Sequence, residues 1–227
     1  MSQESKFKDS TNLTLWLKRG LYATIAMSII GVISGVLEYQ FLNNFQKGVY
    51  VFQEDLAVAA GESNDTRESA VGIIQIIVFL ITGVLYLCWI YRANSNARSL
   101  GATGMRFTPG WSIGFYFIPI MHLWKPYQAM KEIWKASANP DNWREHVVPI
   151  LLPWWWFFWL SVNFAGYIEL RFYLKGENME DLEDISYLII SNVFLIISNV
   201  LDIVLSFIGI AIVGRIYEMQ MSHISRV

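Results

Sequence analysis

Asn192, Asn199, Asp202, Ser206 and Gly209, with Ser191 and Ser198 beside them, interrupt the last apolar stretch of this 227-residue chain. At 100° per residue these positions share an arc of roughly 100° on a helix, so they face one neighbour or one cavity. Asp202 carries the chemistry of that stripe. It precedes Arg215 by about a dozen residues, which puts it near mid-bilayer, where an aspartate costs roughly 2.5–3.5 kcal/mol on insertion scales. Such a carboxylate must be protonated, paired or hydrated, and Asn199, Gln75 and Asn163 are the polar groups available to it. Two readings follow. Asp202, Asn199, Asn192 and Ser206 are either a proton or ion path of a small transporter or channel, or interhelical hydrogen bonds worth about 0.6 kcal/mol each.

A second constellation lies at Arg92, Asn94, Asn96 and Arg98, with Arg92 and Asn96 on one helix face at i and i+4. Together with Arg106 and Lys125 these groups suit a lipid headgroup or phosphate, because basic residues at a membrane face attract anionic lipid at about 1 kcal/mol each. The alternative is charge that sets membrane orientation, plus capping of the segment that follows.

No catalytic pattern accompanies either group. His122, His146 and His223 lack metal-ligand spacing, no HExxH, CxxC, GxGxxG or P-loop occurs, and no serine sits in a nucleophile elbow. A single cysteine, Cys88, excludes an intrachain disulfide. The expectation is a protein that is not an enzyme, with no cofactor and no metal. A net charge of −2 gives no reason to expect a nucleic-acid partner.

The elements that position these residues follow from hydropathy. Hydrophobic residues make up 54% of the chain and charged residues 16%, against about 25% charged in soluble domains. Four stretches, about 20–42, 70–91, 147–170 and 185–214, are long enough to cross a hydrocarbon core, which takes roughly 20 apolar residues. The first exceeds a signal-peptide core in length, so it is read as a retained anchor. Within it, Gly31 and Gly35 form a GxxxG pair, suited equally to packing inside the chain and to a homo-oligomer.

Residues 107–124 are also apolar, but Pro109 and Pro119 interrupt them, and the piece between is shorter than a span. Charge decides the threading. With four spans, one face receives 13 of the 17 basic residues, while the connections 43–69 and 171–184 carry ten acidic residues, among them Glu177, Glu180, Asp181, Glu183 and Asp184. By the positive-inside rule that basic face is cytoplasmic, with both termini. Residues 107–137 are then a re-entrant or interfacial element, and such backbone must be buried in protein or line a wet cavity.

Pro126 is placed to start a short amphipathic helix with Tyr127, Met130 and Trp134 on one side and Lys131, Glu132 and Lys135 on the other. That helix either lies in the headgroup plane or packs on the bundle. Asn139-Pro140-Asp141 supplies a turn, Pro149 and Pro153 open the third span and predict a kink there, and Trp154, Trp155, Trp156 and Trp159 read as an aromatic belt and helix packing.

The run Arg92, Asn96, Leu100-Gly101, Phe107, Pro109-Gly110-Trp111, Phe117-Ile118-Pro119, Pro126-Tyr127-Gln128 and Trp134 resembles the bacterial family called domain of unknown function 4328. The likeness continues through Trp154-Trp155 to Arg215-Ile216 and Gln220; His122 departs from it, standing where asparagine is expected. The resemblance implies a multi-pass protein of the bacterial inner membrane, in which Pro109, Gly110, Trp111, Pro119, Pro126, Tyr127 and Trp134 are structural, and it implies no activity.

The sequence thus predicts one all-α membrane domain over 1–227. Four transmembrane helices would carry a proline-broken re-entrant or interfacial segment and a short amphipathic helix. Its expected role is contact with the bilayer, and with anionic lipid or a protein partner, through the basic face; the transporter reading around Asp202 is the alternative.

Overall fold

The computed structural model describes residues 6–176 and 182–225, and over these the chain is helical with no strand. Six α-helices follow in order: α1 (Thr11–Gln46), α2 (Glu54–Ser99), α3 (Pro109–Gly114), α4 (Lys125–Ala138), α5 (Leu151–Gly176) and α6 (Leu182–Ile224). Short 3₁₀ turns at Phe115–Phe117 and Met121–Leu123 fill the proline-broken region, and a third at Trp143–Glu145 lies between α4 and α5. The acidic residues 177–181 of the 171–184 connection, and Arg226, lie outside the described residues.

Among the described residues, three helices are long and apolar enough to cross a membrane: Thr11–Gln46, Asp55–Ser99 and Ile185–Ile224. Their apolar side chains face outward, as Ile73, Ile76, Phe79 and Ile81 do along α2, where a water-soluble fold would bury them. The chain is therefore a multi-pass membrane protein. The fourth expected span, α5, has 26 residues, but Pro153, four tryptophans, Asn163 and Glu169 dilute its apolar character.

Several boundaries differ from the sequence reading. The expected connection 43–69 is mostly helix, because α2 begins at Glu54 and runs 46 residues, roughly 69 Å. Its polar first half stays ordered through side chains paired with α1. Asn64 donates to Glu38, Ser34 donates to Glu68, and Arg67 donates to Ser34 at 3.0 Å while lying 3.9 Å from Glu38. The two prolines stand at the opening of α5, as expected. Pro149 precedes α5, and Pro153 falls in its first turn, where a missing N–H breaks no helical bond.

By contacts the chain forms two compact units, one of residues 1–22, 80–157 and 207–227, the other of 23–79 and 158–206. Charge sorts between them. The first range holds 13 of the 17 basic and 6 of the 19 acidic residues, and the second holds 4 and 13.

In the second unit, Gly31 and Gly35 let helices approach within the chain. A Cβ on Gly31 would stand 2.5 Å from Gln75 Nε2 and 2.6 Å from Asn199 Oδ1, and one on Gly35 would stand 2.7 Å from Ile196 Cγ1. The face through which these glycines would meet a second copy is thus taken by α2 and α6 of the same chain. Gly31→Ala is expected to cost about 1–3 kcal/mol in thermal or denaturant unfolding. Gly72→Ala, where a Cβ meets nothing within 4 Å, should be neutral or slightly stabilising.

Candidate functional site: the basic end of α2

The first unit is organised around the C-terminal turns of α2. Residues 100–107 leave the helix through Gly101 and Gly104, both at positive φ, and their backbone polar groups need partners once buried. Asn94, fully buried, donates to Phe107 O at 2.9 Å and to Ser112 Oγ at 2.7 Å. Arg98 donates to Asn94 Oδ1 at 3.1 Å and to the carbonyls of Met105 and Phe107 at 3.0 and 2.9 Å. From the other side Glu132 of α4 accepts the N–H groups of Arg106 and Phe107 at 2.6 and 2.9 Å. Charge-assisted bonds of this kind are roughly twice as strong as neutral ones.

Glu132 is only 5% exposed, and this corrects the sequence reading, which set it on the polar side of α4. The apolar side differs as well. Met130 and Trp134 are buried against protein rather than free to face lipid, so α4 packs on the bundle. A signal for Glu132 exists in the sequence: it is the one acidic residue between Glu68 and Asp141.

Asn96 and Arg92 serve a different segment. The Asn96 amide donates to Lys8 O at 2.9 Å and accepts Lys8 N–H at 3.0 Å, as a second strand would, and Arg92 donates to Asp9 O at 3.1 Å. The Thr11 hydroxyl and then the Thr11 N–H hold the Asp9 carboxyl below its usual range, with a smaller contribution from the Arg92 charge. Gln220 of α6 completes the assembly, donating to Ala93 O and to Ser137 Oγ, each at 2.8 Å. His122 closes a local turn on the Pro119 carbonyl.

The lipid-contact candidates therefore separate. Arg98 is engaged by the backbone of the segment that follows, and Asn96 by that of the N-terminal segment. Arg106 and Lys125 line a cavity of about 350 Å³ walled by Phe107, Trp111, Phe115 and Met121. Lys125 Nζ stands 5.7 Å from the Phe107 ring and 6.0 Å from that of Phe115, and Arg106 lies 5.7 Å from Phe107. Arg92 lines another cavity, of about 860 Å³, with Lys6 and Lys8. Sequence reasoning missed both lysines, because nothing local shows that Asn96 folds the N-terminal segment back on α2.

Of the motif residues, Thr108 caps α3, with Pro109 opening it, by accepting Trp111 N–H at 3.3 Å. Trp111 stacks on Phe115, and Pro126 starts α4. Tyr127 stacks on Trp156, whose indole donates to Leu123 O at 3.1 Å. Of the tryptophans, Trp155 and Trp156 are buried packing residues, while Trp154 stays exposed.

The polar stripe of α6 from Ser191 to Ser206 belongs to the second unit. Asp202 accepts from Ser28 at 3.0 Å, a partner not anticipated from sequence, while Gln75 donates to Asn199 at 2.9 Å and to Met27 O at 3.2 Å. Asn163 is bonded to its own helix, at Trp159 O. Asn192 and Ser206 are buried, and Asn192 Oδ1 has no hydrogen-bond partner among the described residues. The described residues contain no cluster of His, Cys, Asp and Glu able to hold a metal.

Fold and site define an all-helical, multi-pass membrane protein with a basic, internally braced end. Comparison with protein families matches residues 53–218 to the domain of unknown function 4328, and the chain belongs to that family. Neither the curated proteins nor the solved structures contain a match.

Proposed function

We propose that this chain is a four-span, non-enzymatic protein of a bacterial inner membrane, with its basic end cytoplasmic, and that it acts by gripping anionic lipid headgroups there. The observation that carries this reading is the aromatic cavity bearing Arg106 and Lys125, neither of which makes an ion pair among the described residues. Both cations lie over aromatic faces, an arrangement that keeps them available to an anion. Beside them Phe117 and Ile120 are 72% and 70% exposed, a pair suited to sit among acyl chains while the cations meet phosphates.

In this reading α5 is the fourth span. At 26 residues it reaches roughly 39 Å, more than the hydrocarbon core requires. The charge sorting supports cytoplasmic placement of both termini and an interfacial, not crossing, position for 107–124. The transporter alternative gains less support. Asp202, Asn199 and Gln75 are engaged with neighbouring helices, as expected of interhelical hydrogen bonds.

Mass spectrometry of the purified full chain tests the headgroup reading. Arg106→Gln/Lys125→Gln should weaken retention of phosphatidylglycerol by roughly thirtyfold, from about 1 kcal/mol for each cation; unchanged retention would refute it. Sided labelling tests the threading. Cysteines at Lys131 and Glu62, introduced one at a time in a Cys88→Ser background, should react from opposite faces of the membrane, and reaction from the same face would contradict four spans.

A further inference from the structure

The larger cavity at the basic end is independent of the Arg106 and Lys125 site and has a different construction. Its α2 wall is one helical stripe, Val84, Leu87, Cys88, Tyr91, Arg92 and Ser95, at i, i+3, i+4, i+7, i+8 and i+11. Eleven residues at 1.5 Å each make that wall roughly 16 Å long. Its chemistry changes along the way, from Val84 and Leu87 to Tyr91, Arg92 and Ser95. Leu13 of α1 and Ile113 of α3 extend the apolar lining.

The polar end is strongly cationic. Asn96 holds the Lys8 backbone there, and Lys6 and Lys8 line the same space as Arg92. None of the three makes an ion pair among the described residues. The nearby acid, Asp9, directs its carboxylate at Thr11. A volume of about 860 Å³ lies within the roughly 300–1,000 Å³ of small-molecule sites. Three cations at one end of an elongated apolar slot match a ligand that is itself charged at one end.

We propose that this cavity binds an anionic amphiphile, its phosphate or carboxylate head at Lys6, Lys8 and Arg92 and a single apolar chain running along α2 toward Val84. The N-terminal segment is then part of a binding site, held over it by Asn96. Selectivity arises from the pairing of both ends: a free anion lacks the chain, and a neutral chain leaves the cations unmatched.

Cys88, the chain's single cysteine, lines the slot and is exposed, so it reports occupancy. The full chain in phosphatidylcholine nanodiscs is treated with N-ethylmaleimide while dodecyl phosphate, dodecyl maltoside or inorganic phosphate is added. Dodecyl phosphate should slow Cys88 alkylation, and the other two should not. Lys6→Gln/Lys8→Gln, which alters two exposed side chains and leaves the Lys8 backbone bonds in place, should raise the dodecyl phosphate needed by roughly thirtyfold. Bound dodecyl phosphate counted by mass spectrometry should fall in parallel, and should also fall in Val84→Trp, which fills the apolar end. Equal protection by dodecyl maltoside would reduce the slot to ordinary lipid contact and overturn the proposal. Protection by inorganic phosphate alone would overturn the amphiphile class, and binding indifferent to both variants would overturn the site. Arg106 and Lys125 are untouched throughout, so this outcome is separable from that of the headgroup cleft.

Discussion

A chain that leaves its helix must find partners for every peptide group it buries, and here three side chains meet that requirement for Met105, Arg106 N–H and Phe107, while Trp143 and Arg144 bind the carbonyls of Thr103 and Gly104. Asn94 and Arg98 bind the carbonyls of Met105 and Phe107 from α2, and Glu132 binds the amides of 106 and 107 from α4. An unmet buried amide or carbonyl costs about 1–3 kcal/mol, so this pinch decides where the backbone can run. Everything built on the segment inherits its position. Arg106 and Phe107 enter their cavity from the pinched residues themselves, and Ser112 ties α3 to the same Asn94.

The second unit is held by other means, because lipid removes most of the hydrophobic difference between a packed and an exposed leucine. Its helices meet where glycine allows close approach and where amides exchange hydrogen bonds. Both features meet at Gly31, which stands against the hydrogen-bonded Gln75 and Asn199 pair. The cluster of Glu38, Asn64, Arg67 and Glu68 continues this pattern along α1 and α2. Polar contacts therefore specify the register, and apolar side chains are left to face outward.

Much of this was legible in the sequence. The positions of the long helices follow from apolar runs of sufficient length, Pro126 and the Asn139 turn mark real boundaries, and the polar run Arg92 to Arg98 stands at the end of α2. Helix ends were less legible, since hydropathy reports the apolar middle of a helix and is blind to the polar turns that extend α2 back to Glu54. The partition of the cluster was hidden for a different reason. Whether an asparagine or arginine faces solvent or a peptide group depends on chain arriving from elsewhere: Lys8 for Asn96, Phe107 for Asn94 and Arg98. Glu132 looked like a surface residue because Lys131 and Lys135 flank it, although its isolation among some seventy residues without another acid was a usable clue.

The dependence of the basic end on its pinch is tested most directly by hydrogen–deuterium exchange at the Arg106 and Phe107 amides of the full chain. Two bonds to a buried carboxylate should slow their exchange by at least about a hundredfold, and Glu132→Ala should abolish that protection while amides in the second unit keep theirs. Rapid exchange of both amides in the unaltered protein, or protection that survives Glu132→Ala, would contradict the account.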